Sequence, residues 1–373
     1  MKLRTTLPVL IAIGVLALPA GAMAAKGGKG KSEKVTVMSR NLYLGADLGP
    51  ALNAADINGA IDGAGVVYNQ LEATNYPERA VALANEIKKA KPDLVGLQEV
   101  ALWHTQTPSD LGGPPIGPGT VPAGDLKYDF LQDLEDQLKD QGAKYKVAGV
   151  QEEFTGELPA DVNGVDEPGS VAGEDLDVRL TMRDAILVRK AKDVKAKKFK
   201  SANYENAFQT EVSGFPVTAD RGWTSVEAEV GKAKFRFVNT HLESFDDGTI
   251  REAQANELLK KALKGKGTKI VVGDFNSDPT DPSSDGLAYD AMEDAGYERR
   301  VVKGTTFGHT ADVNDPNDAD QFVLTIDHVF VNDPKIKLVK KGSSLVGNTV
   351  MTPGGLWPSD HLGIVSKLKV PTK

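Results

Sequence analysis

The sequence predicts a layered α/β domain with mixed sheets. Three observations point there. Apolar runs of strand length recur along the chain, amphipathic segments of helix length separate some of them, and others follow one another closely enough to pair as hairpins. A purely parallel sheet with a helix in every crossover would lack those close pairs.

The elements follow in order. Val35 to Met38 reads as the first strand, Pro77 to Lys89 as an amphipathic helix opened by its proline, and Asp93 to Leu97 as a buried strand. A helix is expected over Asp125 to Lys139. Strands follow at Tyr145 to Val150, Ala185 to Val188, Ser225 to Val230 and Phe235 to Asn239. A helix from Thr249 to Lys264 precedes a strand at Lys269 to Val272, and Ile326 to Val331 and Leu362 to Leu368 complete the set. Two breaker-rich stretches interrupt this pattern, Thr105 to Ala123, with GGPPIGPG at Gly112 to Gly119, and Leu158 to Gly173. Strand patterns resume after each, so both read as surface excursions from one domain. The segment holding Phe208, Phe215 and Trp223 reads as irregular, and these aromatics, like Trp357, as ordinary packing.

The N-terminus reads as an address. Lys2 and Arg4 precede the apolar run Leu7 to Leu18, and Ala22-Met23-Ala24 gives the small-x-small pattern of signal cleavage. Residues 1–24 are therefore expected to be a cleaved signal peptide, residues 25–33 a Gly- and Lys-rich tether, and residues 34–373 the exported domain, extracellular or periplasmic. Cleavage removes two cations and moves the net charge from −8 to −10. The 373 residues include five histidines and no cysteine, which excludes disulfides, thiolate metal sites and a cysteine nucleophile. Any metal must sit on oxygen ligands or on those histidines.

Polar residues cluster where apolar strands end. DLVGLQEV (Asp93 to Val100) delivers Glu99 at a strand's carboxyl end, where a carboxylate can face a hard cation such as Mg²⁺. FVNTHLES places His241 after another strand. In VVGDFNSD, Asp274 and Asn276 stand two apart and in extended geometry leave the same face, an acceptor to orient water beside an amide donor for a phosphoryl oxygen. Asp327-His328 opens one apolar run and Asp360-His361 precedes another, pairs in which a carboxylate can fix an imidazole's tautomer and raise its pKa. Which acid faces which histidine is left open. The acidic loop Asp312 to Asp320 lacks the glycine and terminal glutamate of an EF-hand and reads as a solvated turn; His104 and His309 read as solvated loop histidines.

Taken in order, SRNLYL, LQEV, RDAILVR, NTHLES, GDFNSDP, IDHVFV and SDHLGIV resemble the successive motifs of the endonuclease/exonuclease/phosphatase superfamily, which includes pancreatic-type deoxyribonucleases, apurinic-site endonucleases, neutral sphingomyelinases and inositol-polyphosphate phosphatases. The resemblance spans roughly residues 34–370. It implies a four-layer α/β sandwich of two packed mixed sheets flanked by helices. It also implies a site in which Asn41 and Glu99 lie beside a catalytic Mg²⁺, with Mn²⁺ as the alternative ion, Glu99 as principal ligand and Asp360 on the metal side. Asp274 would align and deprotonate the attacking water, Asn276 would donate to the phosphate, and Asp327 would support His361. His241 would approach the phosphate from the opposite flank, paired with Asp184, where the pancreatic-type nucleases carry the longer Glu. The implied reaction is direct water attack with inversion at phosphorus.

The substrate expected first is a small or lipid-derived phosphate ester, because the acidic charge and scattered lysines disfavour nucleic acid. A secreted nuclease on DNA or RNA is the alternative, and a non-catalytic binding protein on the same fold the third reading. Transient contact with a membrane surface is compatible with the first. No obligate protein partner is evident.

Overall fold

The computed structural model describes residues 31–110, 122–164, 175–212, 214–245, 247–280, 286–318 and 322–372. The expected signal peptide, residues 25–30 of the tether, the Gly112 to Gly119 run and most of the second breaker-rich stretch lie outside the described residues.

Strand β1 (Ser32–Asn41) leads into helices α1 (Gly49–Leu52), α2 (Ile57–Ala73) and α3 (Tyr76–Ala90). Strands β2 (Leu94–Gln98), β3 (Leu102–Gln106) and β4 (Asp125–Asp129) precede α4 (Phe130–Asp140) and the long strands β5 (Tyr145–Ala160) and β6 (Leu176–Arg189). Then come β7 (Val194–Asn203), β8 (Phe208–Val212), β9 (Phe215–Ala219), β10 (Gly222–Val230), β11 (Ala233–His241), α5 (Thr249–Lys260) and β12 (Lys269–Asp274). The chain closes with α6 (Leu287–Asp294), β13 (Glu298–Arg299), β14 (Asp327–Val331), β15 (Lys337–Leu338), β16 (Ser344–Val346) and β17 (Gly363–Pro371).

Two large sheets result. One runs β15-β17-β1-β2-β6-β3-β4, with β16 also on β17 and β5 also on β6; the other runs β13-β14-β12-β11-β10-β7. Each contains one parallel pair, β1 with β2 and β11 with β12, amid antiparallel neighbours, so both are mixed as expected.

Alternation builds four layers. On β1, Val35 and Val37 face the second sheet, where they share one core with Phe237 and Val272, while Met38 joins Leu83 and Ile87 of α3 behind the first sheet. On β12 and β14, Ile270 and Val329 point inward, whereas Val271 and Phe330 pack with Leu258 of α5 and Met292 of α6. Both faces of these strands are buried, which is why they read as continuous apolar runs. The sheets approach closely at Gly96, where an added Cβ would stand 2.4 Å from Val272 and from Asn239.

Several boundaries differ from the sequence expectation. Asp125 to Lys139 is not one helix: Asp125–Asp129 pairs with β3, and the Asp129 carboxylate then caps α4 by accepting from Leu131 N at 3.1 Å and Gln132 N at 3.3 Å. Helix α5 stops at Lys260 rather than Lys264. Strands β5 and β6 run far beyond the Tyr145 to Val150 and Ala185 to Val188 runs that marked them, and Leu158 to Ala160 belongs to β5 rather than to a loop. The segment read as irregular forms the β8–β9 hairpin, which pairs with neither large sheet. Helix α2 went unread because its glycines dilute the pattern; Gly65 lets it close on β5, since a Cβ there would stand 1.6 Å from Asp161 O.

His328 is the strand residue expected. It is fully buried, donates from Nε2 to Ser277 O at 2.9 Å and accepts from Arg299 Nε at 2.9 Å. Burial, then Arg299, push its pKa down to about 3. The unfolded chain therefore binds a proton that the fold refuses between about pH 6.5 and 3, so stability is lost as pH falls through that window. Urea unfolding at pH 7 and pH 4.5 is expected to show on the order of 2–3 kcal/mol more acid destabilisation in the wild type than in His328→Gln.

Candidate active site

Strand ends from both sheets meet at one edge of the sandwich. Parallel pairing sets Asn41 beside Gln98, with Glu99 next in the chain. In the second sheet, the registers of β11, β12 and β14 place His241, Asp274 and Asp327 side by side. Strand β17 runs antiparallel to β1, so Ser359-Asp360-His361, just before it, return to the same edge. Ser359 Oγ fixes that return by donating to Asn41 O at 2.9 Å.

The side chains interlock. His361 Nδ1 and Asp327 Oδ2 are 2.9 Å apart, and His361 Nε2 lies 3.5 Å from Asp274 Oδ2. Asn41 Nδ2 donates to Glu99 Oε1 at 3.0 Å and to Asp274 Oδ2 at 3.1 Å. Its Oδ1 accepts from Tyr43 N at 2.8 Å, so Asn41 turns a donor to the site rather than the ligand oxygen expected. Asp274 Oδ1 accepts from Asn276 N at 2.9 Å; Asn276 Nδ2 spends one hydrogen on Leu242 O at 2.9 Å and keeps the other. Glu99 Oε2 accepts from Leu44 N at 2.7 Å. Tyr43, Glu99 and Asn276 hold left-handed backbone, with φ of 58°, 53° and 47°. Such conformations cost about 1–3 kcal/mol each, and here they aim the groups that line the cleft.

Arg79 braces this edge from beneath. Fully buried, it donates to Leu42 O at 2.8 Å, Pro358 O at 3.0 Å, Tyr43 O at 3.1 Å and Thr74 O at 2.9 Å, joining the end of β1 to the loop that carries Asp360 and His361. Its guanidinium lies 5.1 Å from the Tyr76 ring and 5.3 Å from the Tyr43 ring. Arg79→Met would strand four carbonyls, and a loss of about 3–5 kcal/mol is expected in chemical denaturation.

The two histidines differ in charge. Burial opposes protonation of His361, but Asp327, then Asp274 and Asp360, outweigh it and push its pKa up to about 10, so it is an imidazolium at neutral pH. Burial raises Asp274 to about 7, against the pull of His361. His241 is held well below its ordinary value by burial, then by Arg221 and His361, and stays neutral.

Arg221 also fixes the tautomer of His241. Its Nη1 lies 3.2 Å from His241 Nδ1, and a guanidinium can only donate, so the imidazole proton sits on Nε2, 3.8 Å from Asp274 Oδ2. Asp184 therefore does not take His241 Nδ1 as the resemblance implied; its Oδ2 accepts from Asn239 Nδ2 at 3.3 Å. It belongs instead to a buried acidic cluster with Glu153, in which burial drives Glu153 up to about 8 and Asp184 well above the carboxylate range. Arg221 offsets the charge of that cluster and also pairs with Glu243, whose Oε1 is 3.6 Å from Nη2. Arg79, Glu153, Arg221 and Glu243 carried no local signal in the sequence beyond the Glu within NTHLES.

Among the described residues, two groups bring ligand-type atoms within 4.8 Å of one another, Glu153 with Asp184 and His241, and Asp274 with Asp327 and His361. A side-chain cation already serves each, the Arg221 guanidinium and the His361 imidazolium. Glu99 and Asp360 are the better fit for a divalent ion. Burial pushes Asp360 up to about 6, with His361 opposing and Glu99 adding to the rise, and two mutually repelling carboxylates are a donor set that a hard cation relieves.

Glu99, Arg221, His241, Asp274, Asn276, Asp360 and His361 open on a cleft of about 570 Å³. Its flank away from His361 is apolar, with Leu48, Leu52, Phe154, Phe208, Val217 and Phe245. The arginines in its lining, Arg221 and Arg251, are both tied to Glu243, the second through Nε donating to Glu243 O at 2.6 Å. His309 also lines the cleft and is no solvated loop residue. It is 4% exposed, lies 2.5 Å from Asp318 through Nδ1 and stacks on Trp357 at 4.6 Å. The acidic loop is largely exposed over Asp312 to Asn317, as a solvated turn would be, but Asp318 is fully buried and anchors it to His309. His104 sits on β3, away from the cleft lining.

The sequence matches the model of the Endonuclease/Exonuclease/phosphatase family over residues 57–361. A search of curated proteins finds no match. Among solved structures, the chain is similar to an endonuclease/exonuclease/phosphatase family protein from Bacteroides thetaiotaomicron, at 17% identity over 91% of this chain and 99% of that one, with a TM-score of 0.52. It is also similar to a mannosyl-6-phosphatase from that organism, at 19% identity over 90% and 99% of the two chains, with a TM-score of 0.51. At such identities the likeness is one of fold.

Proposed function

Because this chain belongs to the endonuclease/exonuclease/phosphatase family and is thus a metal-dependent phosphoester hydrolase, we propose that its cleft hydrolyses a small or lipid-derived phosphate ester with Mg²⁺, by direct attack of a water that Asp274 positions. The observation that carries this reading is His361, hydrogen-bonded to Asp327 through Nδ1 and ion-paired with Asp274 through Nε2, with Glu99, Asp274 and Asp360 beside it in one cleft.

Glu99 and Asp360 would hold the ion, whose positive charge would offset that of the phosphoryl oxygens. Asp274, its pKa raised to about 7, accepts the proton of the attacking water. The His361 imidazolium, oriented by Asp327, donates to a phosphoryl oxygen as charge builds there. Asn276 offers its remaining amide hydrogen, and Asn41 holds Glu99 and Asp274 in common register. His241 presents Nε2–H from the other flank as a neutral donor.

Small or lipid-derived substrates are favoured over nucleic acid by the lining. A polyanion needs a track of available cations, whereas Arg221 is paired with the buried Glu243 carboxylate and one flank is apolar. Purified protein assayed on bis-p-nitrophenyl phosphate, a sugar phosphate, sphingomyelin, phosphatidyl lipids, plasmid DNA and RNA is expected to cleave the first classes and to lose all activity to chelator, with recovery on adding Mg²⁺. Undiminished turnover after exhaustive chelation contradicts the metal assignment, and preferential cleavage of DNA or RNA contradicts the substrate class. Export rests on residues 1–24, and N-terminal sequencing of the secreted protein is expected to begin at Ala25.

A further inference from the structure

Beside the catalytic cleft lies a second cavity of about 210 Å³ that the proposed chemistry does not use. Its walls come from α1 and α2 on one side, from β5 and β6 on another, and from the β8–β9 hairpin, which pairs with no other strand. Ile57, Val67, Trp103, Leu158, Leu180 and Val212 are among them. Glu157 is the charged residue in its lining, and it is occupied, accepting from Ala123 N at 2.9 Å.

The two cavities adjoin. Leu48, Leu52, Phe154 and Val217 line both, so the apolar flank of the cleft borders the second cavity. This places a hydrocarbon-lined recess alongside the carboxylates and imidazoles that surround the reacting phosphorus. At about 210 Å³ it exceeds the roughly 150 Å³ that suffices to hold benzene in an apolar cavity. An anionic lining residue and the lack of any lining cation make it unsuited to a phosphodiester backbone.

We propose that this recess is the substrate's second subsite and takes an alkyl chain carried by the phosphate ester, so that the enzyme acts on amphiphilic phosphodiesters. The assignment rests on the phosphoesterase reading above and names the substrate class for that same site. The phosphoryl group sits at Asp274 and His361, and the chain runs past Phe154 and Val217 into the cavity. Val212 and Val217 of the hairpin wall it, and in the adjoining cleft the Phe208 and Phe245 rings lie 6.1 Å apart, Phe245 being 47% exposed.

The test is a homologous series of p-nitrophenyl alkyl phosphodiesters, from methyl to decyl, assayed below the aggregation concentration of the longest. In wild type, kcat/KM is expected to climb by roughly threefold to fourfold for each buried methylene and then level off when the recess is full. Ile57→Trp and Leu158→Trp, half-buried wall positions that fill the recess from opposite sides, are expected to collapse the octyl-to-methyl ratio of kcat/KM towards one. A flat series in wild type, with every ester hydrolysed, overturns the subsite and leaves the phosphoesterase reading standing. A chain-length gain that survives unchanged in both variants equally overturns its location. Hydrolysis of no ester in the series at all defeats the underlying functional reading instead.

Discussion

Asp274→Asn is expected to fold normally and to lose about a thousandfold in kcat, within the 10²–10⁴ that a positioned base contributes. The side chain keeps its volume and its oxygen still accepts from Asn276 N, while its amide nitrogen replaces the oxygen that accepts from Asn41 Nδ2, a local loss that leaves the strand pairing intact. What disappears is the acceptor for the water's proton. The substitution also removes a carboxylate whose pKa burial has raised to about 7, and ionising such a group in the fold costs stability above its unfolded pKa. The melting temperature at pH 8 is therefore expected to hold or rise while activity collapses. A variant within tenfold of wild type would remove Asp274 from the chemistry.

His361→Gln carries the second large effect. Glutamine preserves a donor but not the charge, and the charge is what Asp327, Asp274 and Asp360 maintain. Loss of one donor to a developing oxyanion costs 10²–10³ in kcat, and about that is expected here. Asp327→Asn should fall between wild type and His361→Gln, with kcat reduced and KM little changed, because Asp327 acts through the imidazole rather than on substrate. Equal losses in kcat and in substrate affinity for Asp327→Asn would indicate general disruption of the strand edge instead. Asp327 Oδ1 has no hydrogen-bond partner among the described residues, so its pairing with His361 is the interaction to be lost.

How much of this was legible before folding depends on how local each signal was. Glu99, His241, Asp274 and His361 stand directly after or before apolar runs, and strand ends of a layered α/β fold converge, so their meeting could be anticipated. The pairing of His361 with Asp327 was open to the family resemblance but not to local pattern, because it depends on the antiparallel return of β14 and β17 across two sheets. Arg221 follows a short irregular stretch and is as polar as its neighbours. Only the register of β10 on β11, which sets Gly222 opposite His241, brings the guanidinium to the imidazole. Glu153 is hidden for a similar reason: it lies where the β5 register shifts between Glu152 and Thr155, so strand alternation does not predict its burial. The β8–β9 hairpin did have a signal, Ser213-Gly214 between two short runs, but Pro216 and the surrounding polar residues mask it. That hairpin walls both cavities, so the part of the sequence least readable as structure bears most on the choice of substrate.

The stereochemical course at phosphorus tests the central claim most directly. The substrate would be a chiral phosphorothioate diester of the class selected by the assays above, hydrolysed in ¹⁸O-labelled water with Mg²⁺ present. In-line attack by a water held at Asp274 predicts inversion, with the label on phosphorus. Retention would require two displacements and an esterified side chain, and would contradict the account.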